Sequence, residues 1–318
     1  MKFAMLGAGG IGCLYAARLI QAGHQCVLVA RGEHLQALQQ NGLLVDHPDT
    51  QFHGSVDATD VAGLMKQHSC SSFDLLILGA KGGATQAMLA EMKTWLQGAT
   101  TPILSIQNGV TNEALIEQQL GVERTIGGLG IYVSGHIVSP GHISAQGAGQ
   151  IDFGAWPTAQ DNPQMATLCQ TLAEVFSDAG IPNRLYTDVR YALWRKLVIN
   201  NGVNPLTALT DLKTGAITTD PILRRTVHTM MEETARAANA AGVSLTKEDV
   251  EEMFDLICNF HDIKTSMQVD MERGRTLEVN EICGPVIENC RKINQPAETT
   301  ELIYKLLVNA TQAHPAEI

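Results

Sequence analysis

Residues 194–209 read WRKLVINNGVNPLTAL, and within them Lys196, Asn200 and Asn204 recur every four positions. On a helix of about 3.6 residues per turn this spacing stacks one cation and two carboxamides along a single face. A solvated face normally mixes acids with bases. Here Leu197, Val198, Ile199 and Val203 take the rest of the circumference, so a largely buried helix aimed at a small polar ligand is expected. Pro205 should end that helix, because it has no N–H for the carbonyl of Asn201 and its ring crowds that carbonyl.

A second stretch carries TSMQVD at 265–270 and GRTLEVN at 274–280. Alone, Ser266 reads as a helix cap and Glu278 as a surface carboxylate. Beside a ligand-facing lysine they read differently. Reducing a carbonyl needs a hydride donor, a proton donor and hydrogen bonds that fix the substrate anion, and Lys196, Ser266 and Glu278 suit the last two needs.

The hydride donor requires a domain of its own, and the first half of the chain has the pattern of one. A short apolar run, KFAML at 2–6, leads into Gly7-Ala8-Gly9-Gly10-Ile11-Gly12, then a helical pattern to Ala22 and a glycine at 23. Strand, GxGxxG and helix in that order predict a dinucleotide-binding turn, whose helix N-terminus receives the pyrophosphate. The next strand, 25–30, ends at Ala30 and Arg31 rather than at the acid that would bond a free ribose. A guanidinium there favours a 2′-phosphate, hence NADPH; a merely exposed arginine is the alternative.

Two further apolar runs, 73–80 and 102–106, read as buried parallel strands ending at Lys81 and at Gln107-Asn108-Gly109. Ligands lie beyond the carboxyl ends of such strands, which makes Lys81 and Asn108 candidates to line the cofactor site, with a loop cap as the alternative for Asn108. Residues 126–133, 136–139, 142–145 and 150–153 read as antiparallel strands or hairpins that finish the sheet, with His136 and His142 in solvated turns. Residues 162–179 form the last helix of this domain, and long helical patterns begin after Thr187. These include 221–241, a helix capped by Thr246, and 296–311. The fold class expected is an α/β Rossmann-type N-terminal domain, 1–186, followed by an all-α C-terminal domain, 187–318.

With 318 residues the chain is long enough for two cores, and a formal net charge of −11 argues against nucleic acid as a partner. No apolar run reaches the roughly 18 residues that span a bilayer, and no cleavable signal precedes the glycine turn. Seven cysteines without a CxxC fit free thiols in the cytoplasm, and the ten histidines show no metal-binding pairing. No metal is expected.

Together these stretches resemble the ketopantoate reductases (2-dehydropantoate 2-reductases). The likeness rests on GAGGIG with Arg31, on QNG at 107–109, on WRKLVINNGVNPLTAL and on the TSMQVD…GR…E block. It implies a two-domain, NADPH-dependent enzyme that reduces ketopantoate to pantoate on the route to pantothenate. It further implies that Lys196 is the general acid, that Asn108, Asn200, Asn204, Ser266 and Glu278 shape the substrate pocket, and that Asn108 and Glu278 also reach the cofactor. Where the family shows a TEID-like run, this chain has Leu277-Glu278-Val279-Asn280, so Glu278, which the resemblance makes catalytic beside Lys196, stays while a threonine and an aspartate are replaced. The alternatives are an NADPH-dependent reductase of another 2-oxo acid and a non-catalytic NADP-binding sensor. A monomer and a homodimer are equally compatible.

Overall fold

Four consecutive residues, Phe3 to Leu6, are buried on both sides of one strand, and the first half of the chain is layered around it. The computed structural model describes residues 1–259 and 262–313. It divides into two units, Met1–Gln107 with Asn112–Arg190, and Asn108–Thr111 with Tyr191–Ile318.

The first unit contains β1 (Lys2–Leu6), β2 (Gln25–Val29), β3 (Leu43–His47), β4 (Thr50–Gly54), β5 (Asp57–Thr59), β6 (Leu75–Leu78), β7 (Ile103–Ser105), β8 (Thr125–Ile131), β9 (Ser134–Ser139), β10 (His142–Gln146), β11 (Gln150–Ala155) and β12 (Asn183–Leu185). Its helices are α1 (Gly10–Gln21), α2 (Gly32–Asn41), α3 (Val61–Gln67), α4 (Thr85–Glu91), α5 (Lys93–Leu96), α6 (Asn112–Leu120) and α7 (Pro163–Asp178). Among the described residues the main sheet runs β12-β11-β8-β7-β6-β1-β2-β5. From β5 to β8 all neighbours are parallel; β11 then pairs antiparallel with β8, and β12 parallel with β11.

The two-residue period of a strand sorts its side chains into two layers. Phe3 and Met5 join the core formed with α1 and α7, while Ala4 and Leu6 join the one beneath α3 to α6. Continuous apolar sequence therefore becomes a strand covered on both faces, with the carboxyl ends of β1, β2, β6, β7 and β8 at a common edge.

Residues 136–139 and 142–145 do not complete that sheet as the sequence suggested. They are β9 and β10, which form a second sheet ordered β4-β3-β10-β9. The β3–β4 hairpin and the edge strand β12 were not anticipated at all. Their physical logic is alternation: Leu43 and Val45 of β3, with Ile143 and Ala145 of β10, point into the α1 layer, and their neighbours are more open to solvent. A one-sided pattern covers a helix; it does not fill a sheet interior. His136 and His142 consequently lie on strands rather than in turns, and His142 Nε2 stands 2.7 Å from Asp46 Oδ2.

The second unit is helical: α8 (Val189–Thr210), α9 (Thr214–Thr219), α10 (Pro221–Ala240), α11 (Lys247–Asn259), α12 (Ser266–Glu272), α13 (Val279–Lys292) and α14 (Glu298–Ala313). One core gathers Leu197 and Val203 of α8 with Met230, Phe254, Cys283 and Leu307, and Val110 packs against it. Pro205 does not end α8, which continues to Thr210. Leu206, Thr207 and Ala208 beyond it are buried, and this packing outweighs the one backbone bond that proline forfeits. No helix among the described residues is long and apolar enough to cross a membrane.

Candidate functional site

In the first unit, β1 delivers the chain to the glycine turn. Gly7 has φ +115°, and a Cβ there would stand 2.4 Å from the amide nitrogen of Ala80, in the loop after β6. A Cβ on Gly12 would meet the carbonyl oxygen of Gly7 at 2.3 Å. Both positions are closed to any side chain on steric grounds. Gly9 differs, because nothing lies within 4 Å of the corresponding point. The turn is thus packed against protein at Gly7 and Gly12 and open at Gly9. No side chain caps α1 at Gly9, and its first turn has no acid. Helix-initial amides in that state suit an anion, and with Ala8, Gly10 and Ile11 completing the turn the residues present fit a pyrophosphate.

Two exposed cations flank this turn in the sheet order. Arg31 follows β2 directly and begins α2 without using its side chain as a cap. Lys81 lies beyond the carboxyl end of β6 and opens the short 3-10 turn Gly82–Ala84.

In the second unit, α8 presents Lys196 and Asn200 half-buried and Asn204 buried. Asn201, one residue off that face, is fully buried and structural. Its Nδ2 contacts Thr234 Oγ1 and Thr300 Oγ1, both at 3.0 Å, which ties α8 to α10 and α14. Next to Asn204, the Thr207 hydroxyl meets the Thr265 hydroxyl at 2.6 Å, and Gln268 Nε2 donates to Asp211 Oδ1 at 3.1 Å. These two bonds dock α12 on the end of α8. Thr265, not Ser266, is the cap of α12, accepting from the amide of Gln268 at 3.3 Å. Ser266 is left exposed as the first residue of the helix.

Glu278 immediately precedes α13 and is half-buried. Its Oε2 accepts from Asn108 Nδ2 at 3.2 Å, so two residues 170 positions apart in sequence share one contact. The second unit accordingly holds every candidate for proton transfer and substrate binding. Arg31, Lys81 and the glycine turn belong to the first.

The sequence model described as "Ketopantoate reductase PanE/ApbA" matches residues 3–158, and that of its C-terminal part matches residues 188–310. The chain belongs to the ketopantoate reductase family. It is 27% identical over 308 residues to the 2-dehydropantoate 2-reductase of Pyrococcus horikoshii, an alignment covering 96% of each chain. Among solved structures it is similar to the 2-dehydropantoate 2-reductase of Geobacter metallireducens, with 28% identity, a TM-score of 0.85, and coverage of 98% of this chain and 100% of that one. The ketopantoate reductase of Ralstonia eutropha has 26% identity and a TM-score of 0.87 over 99% and 100% of the two chains. D-Mandelate dehydrogenase, at 20% identity and a TM-score of 0.88, shares the fold. As a member of this family the protein is an oxidoreductase that uses a nicotinamide dinucleotide.

The first unit also holds buried polar residues to which the sequence alone assigns no role. Gln107, quoted only as part of QNG, is buried and donates through Nε2 to the carbonyl of Ala80 at 2.7 Å. Thr85 and Asn112 join it in a buried hydrogen-bonded group, and Glu113 lies fully buried next in the chain. A polar residue placed directly after an apolar strand is the signal, one that points to Gln107 as well as to Lys81 and Asn108.

Proposed function

We propose that this protein reduces ketopantoate to pantoate with NADPH, in the cytoplasm, supplying pantoate for pantothenate synthesis. The observation that carries the reading is the Glu278–Asn108 pair in the same unit as the Lys196, Asn200 and Asn204 face. A carboxylate offers about four lone-pair directions, so Glu278 can hold Asn108 and still accept from a substrate hydroxyl. Ketopantoate has such a hydroxyl, and simpler 2-oxo acids do not.

Bound NADPH supplies the hydride for the keto carbon. The Gly7–Gly12 turn, with its uncapped amides, holds the pyrophosphate, Arg31 meets the 2′-phosphate, and Lys81 lines the same edge. Lys196 stabilises the charge that develops on the carbonyl oxygen and gives that oxygen its proton. Ser266, Asn200 and Asn204 fix the substrate carboxylate as neutral donors, and Asn108 orients Glu278.

The two departures from the family pattern are occupied elsewhere. Leu277 packs against the helical core, and Asn280 Oδ1 accepts from the Tyr304 hydroxyl at 2.9 Å. Both serve packing around α13, which supports ketopantoate as the substrate. A 2-oxo acid without the hydroxyl is the second reading, motivated by the same two replacements. Steady-state kinetics separate the two. Ketopantoate should exceed its analogue lacking only the hydroxyl by about a hundredfold or more in kcat/KM, because a site built to bond a hydroxyl rejects the analogue without it. Equal values would move the assignment to the second reading.

A further inference from the structure

The first turn of α2 has little to hold it. Arg31, Gly32, Glu33 and Gln36 are exposed, and a Cβ on Gly32 would find nothing within 4 Å. His34 and Leu35 are half-buried; Leu35 packs on the apolar core, while His34 makes polar contacts to two other parts of the chain. Its Nδ1 accepts from the amide of Gly141, in the turn between β9 and β10, at 3.1 Å. Its Nε2 lies 3.8 Å from Sγ of Cys13 on α1, and that thiol donates to the carbonyl of Ala8 in the glycine turn at 3.3 Å.

A neutral imidazole carries one N–H, and the ring nitrogen that accepts a hydrogen bond cannot be the one that carries it. With Nδ1 accepting, the proton of the neutral ring sits on Nε2 and faces the Cys13 sulfur. Burial keeps both groups in these forms. It pushes His34 below its ordinary value of 6.5, opposed by a hydrogen bond to the Ala8 backbone, and pushes the Cys13 thiol up to about 12.

The turn that His34 reaches is itself fixed. A Cβ on Gly141 would stand 3.2 Å from Cβ of Ala37 in α2, and a Cβ on Gly10 would stand 2.3 Å from the carbonyl carbon of Gly135 in β9. The β9–β10 hairpin thus meets the glycine turn near one end and α2 at the other. On the strand side, the amide of Ala8 donates to the carbonyl of Val29, the last residue of β2, at 2.9 Å. Arg31 therefore lies between two links to the glycine turn, that backbone bond just before it and His34 one helical turn after it.

We propose that His34 is a positioning residue of the dinucleotide site, whose ring holds the first turn of α2 beside the glycine turn so that Arg31 meets the 2′-phosphate. The inference rests on the reading of Arg31 given above. His34 acts through Arg31 and not on the nucleotide.

The test is a double-mutant cycle on the full chain, read by fluorescence titration with NADPH and with NADH. His34→Leu keeps the bulk and removes both nitrogens. It should weaken NADPH by about tenfold and NADH by less than about threefold, because only NADPH offers the phosphate that Arg31 reads. In the Arg31→Ala background the same substitution should change NADPH affinity by less than about twofold, since the side chain through which it acts is already gone. His34→Asn, whose Oδ1 can accept the Gly141 amide as Nδ1 does, should bring NADPH affinity back to within about threefold of wild type. Wild-type NADPH affinity in His34→Leu, an equal loss for both nucleotides, or an undiminished loss in the Arg31→Ala background would each overturn the proposal, as would His34→Asn as impaired as His34→Leu. If His34→Leu does not fold, His34→Gln, which lacks an acceptor at the Nδ1 position, takes its place with the same expectations. Arg31→Ala alone separates the two readings. An equal loss of NADPH and NADH there would overturn the role of Arg31 and with it that of His34, whereas a selective loss there with none in His34→Leu would overturn the role of His34 only.

Discussion

Glu113 is a fully buried acid of the first unit, and replacing it by glutamine tests how the protein tolerates it. It lies in the first turn of α6 with no exposed surface, and neither carboxylate oxygen makes a hydrogen bond of full geometry. Its Cγ sits 3.3 Å from where a Cβ of Gly127 would stand, so β8 packs directly on it. Burial pushes this carboxyl up from 4.5 to about 7, opposed more weakly by its own amide, the Ser105 hydroxyl and the Gly128 amide. The sign follows from linkage. The folded-state value lies above the unfolded one, so the contribution to stability is complete below about pH 4.5 and is lost as the pH rises through about 7. In that window the unfolded chain releases a proton that the folded chain keeps, and the loss amounts to about 3 kcal/mol by neutral pH. Glu113→Gln has nothing to ionise and escapes the loss. Differential scanning calorimetry of both proteins between about pH 5 and pH 8 should show the variant gaining on wild type with rising pH, by about 5–10 °C in Tm across the range. Any constant offset from the amide itself cancels in that comparison. A Tm difference that does not change with pH would show that Glu113 is ionised and compensated in the fold, and the argument from its burial would be wrong.

Three other substitutions probe the site. Lys196→Ala should lower kcat by about two to four orders of magnitude with little change in NADPH affinity, and an unchanged kcat in stopped-flow or steady-state assays would remove it as the proton donor. Arg31→Ala should weaken NADPH far more than NADH, since only the first has the 2′-phosphate, and equal losses in paired titrations would show that Arg31 does not read it. Glu278→Gln should raise KM for ketopantoate by about tenfold or more while leaving the analogue without the hydroxyl nearly unaffected, and a parallel loss for both would place Glu278 outside the hydroxyl contact.

What could be read from the sequence was local. The glycine turn and its helix are set by backbone conformation within a dozen residues, and the four-residue spacing of Lys196, Asn200 and Asn204 survives translation into α8 without tertiary information. Pairings between distant residues were not legible. β3 finds β10 about a hundred residues later, and the alternating sequences that encode this second sheet are equally compatible with an edge of the first. Pro205 was misread because local propensity favours a stop while the buried residues after it favour continuation. Asn200 and Asn201 look alike as residues. Only the positions of Thr234 and Thr300 reveal that Asn201 is spent on packing. Thr85 carries no signal in the sequence, since a threonine at a helix start is ordinary and its partners, Gln107 and Asn112, lie more than twenty residues later around the turn from β7 to α6.

The proposed reaction joins an NADPH-selective turn to a lysine-driven reduction of a hydroxylated 2-oxo acid in one protein. The most direct measurement is the initial rate of nucleotide oxidation by purified wild-type protein with ketopantoate, using NADPH and NADH at equal concentrations. NADPH should be oxidised rapidly and NADH much more slowly. No oxidation of NADPH above the substrate-free background would contradict that reaction.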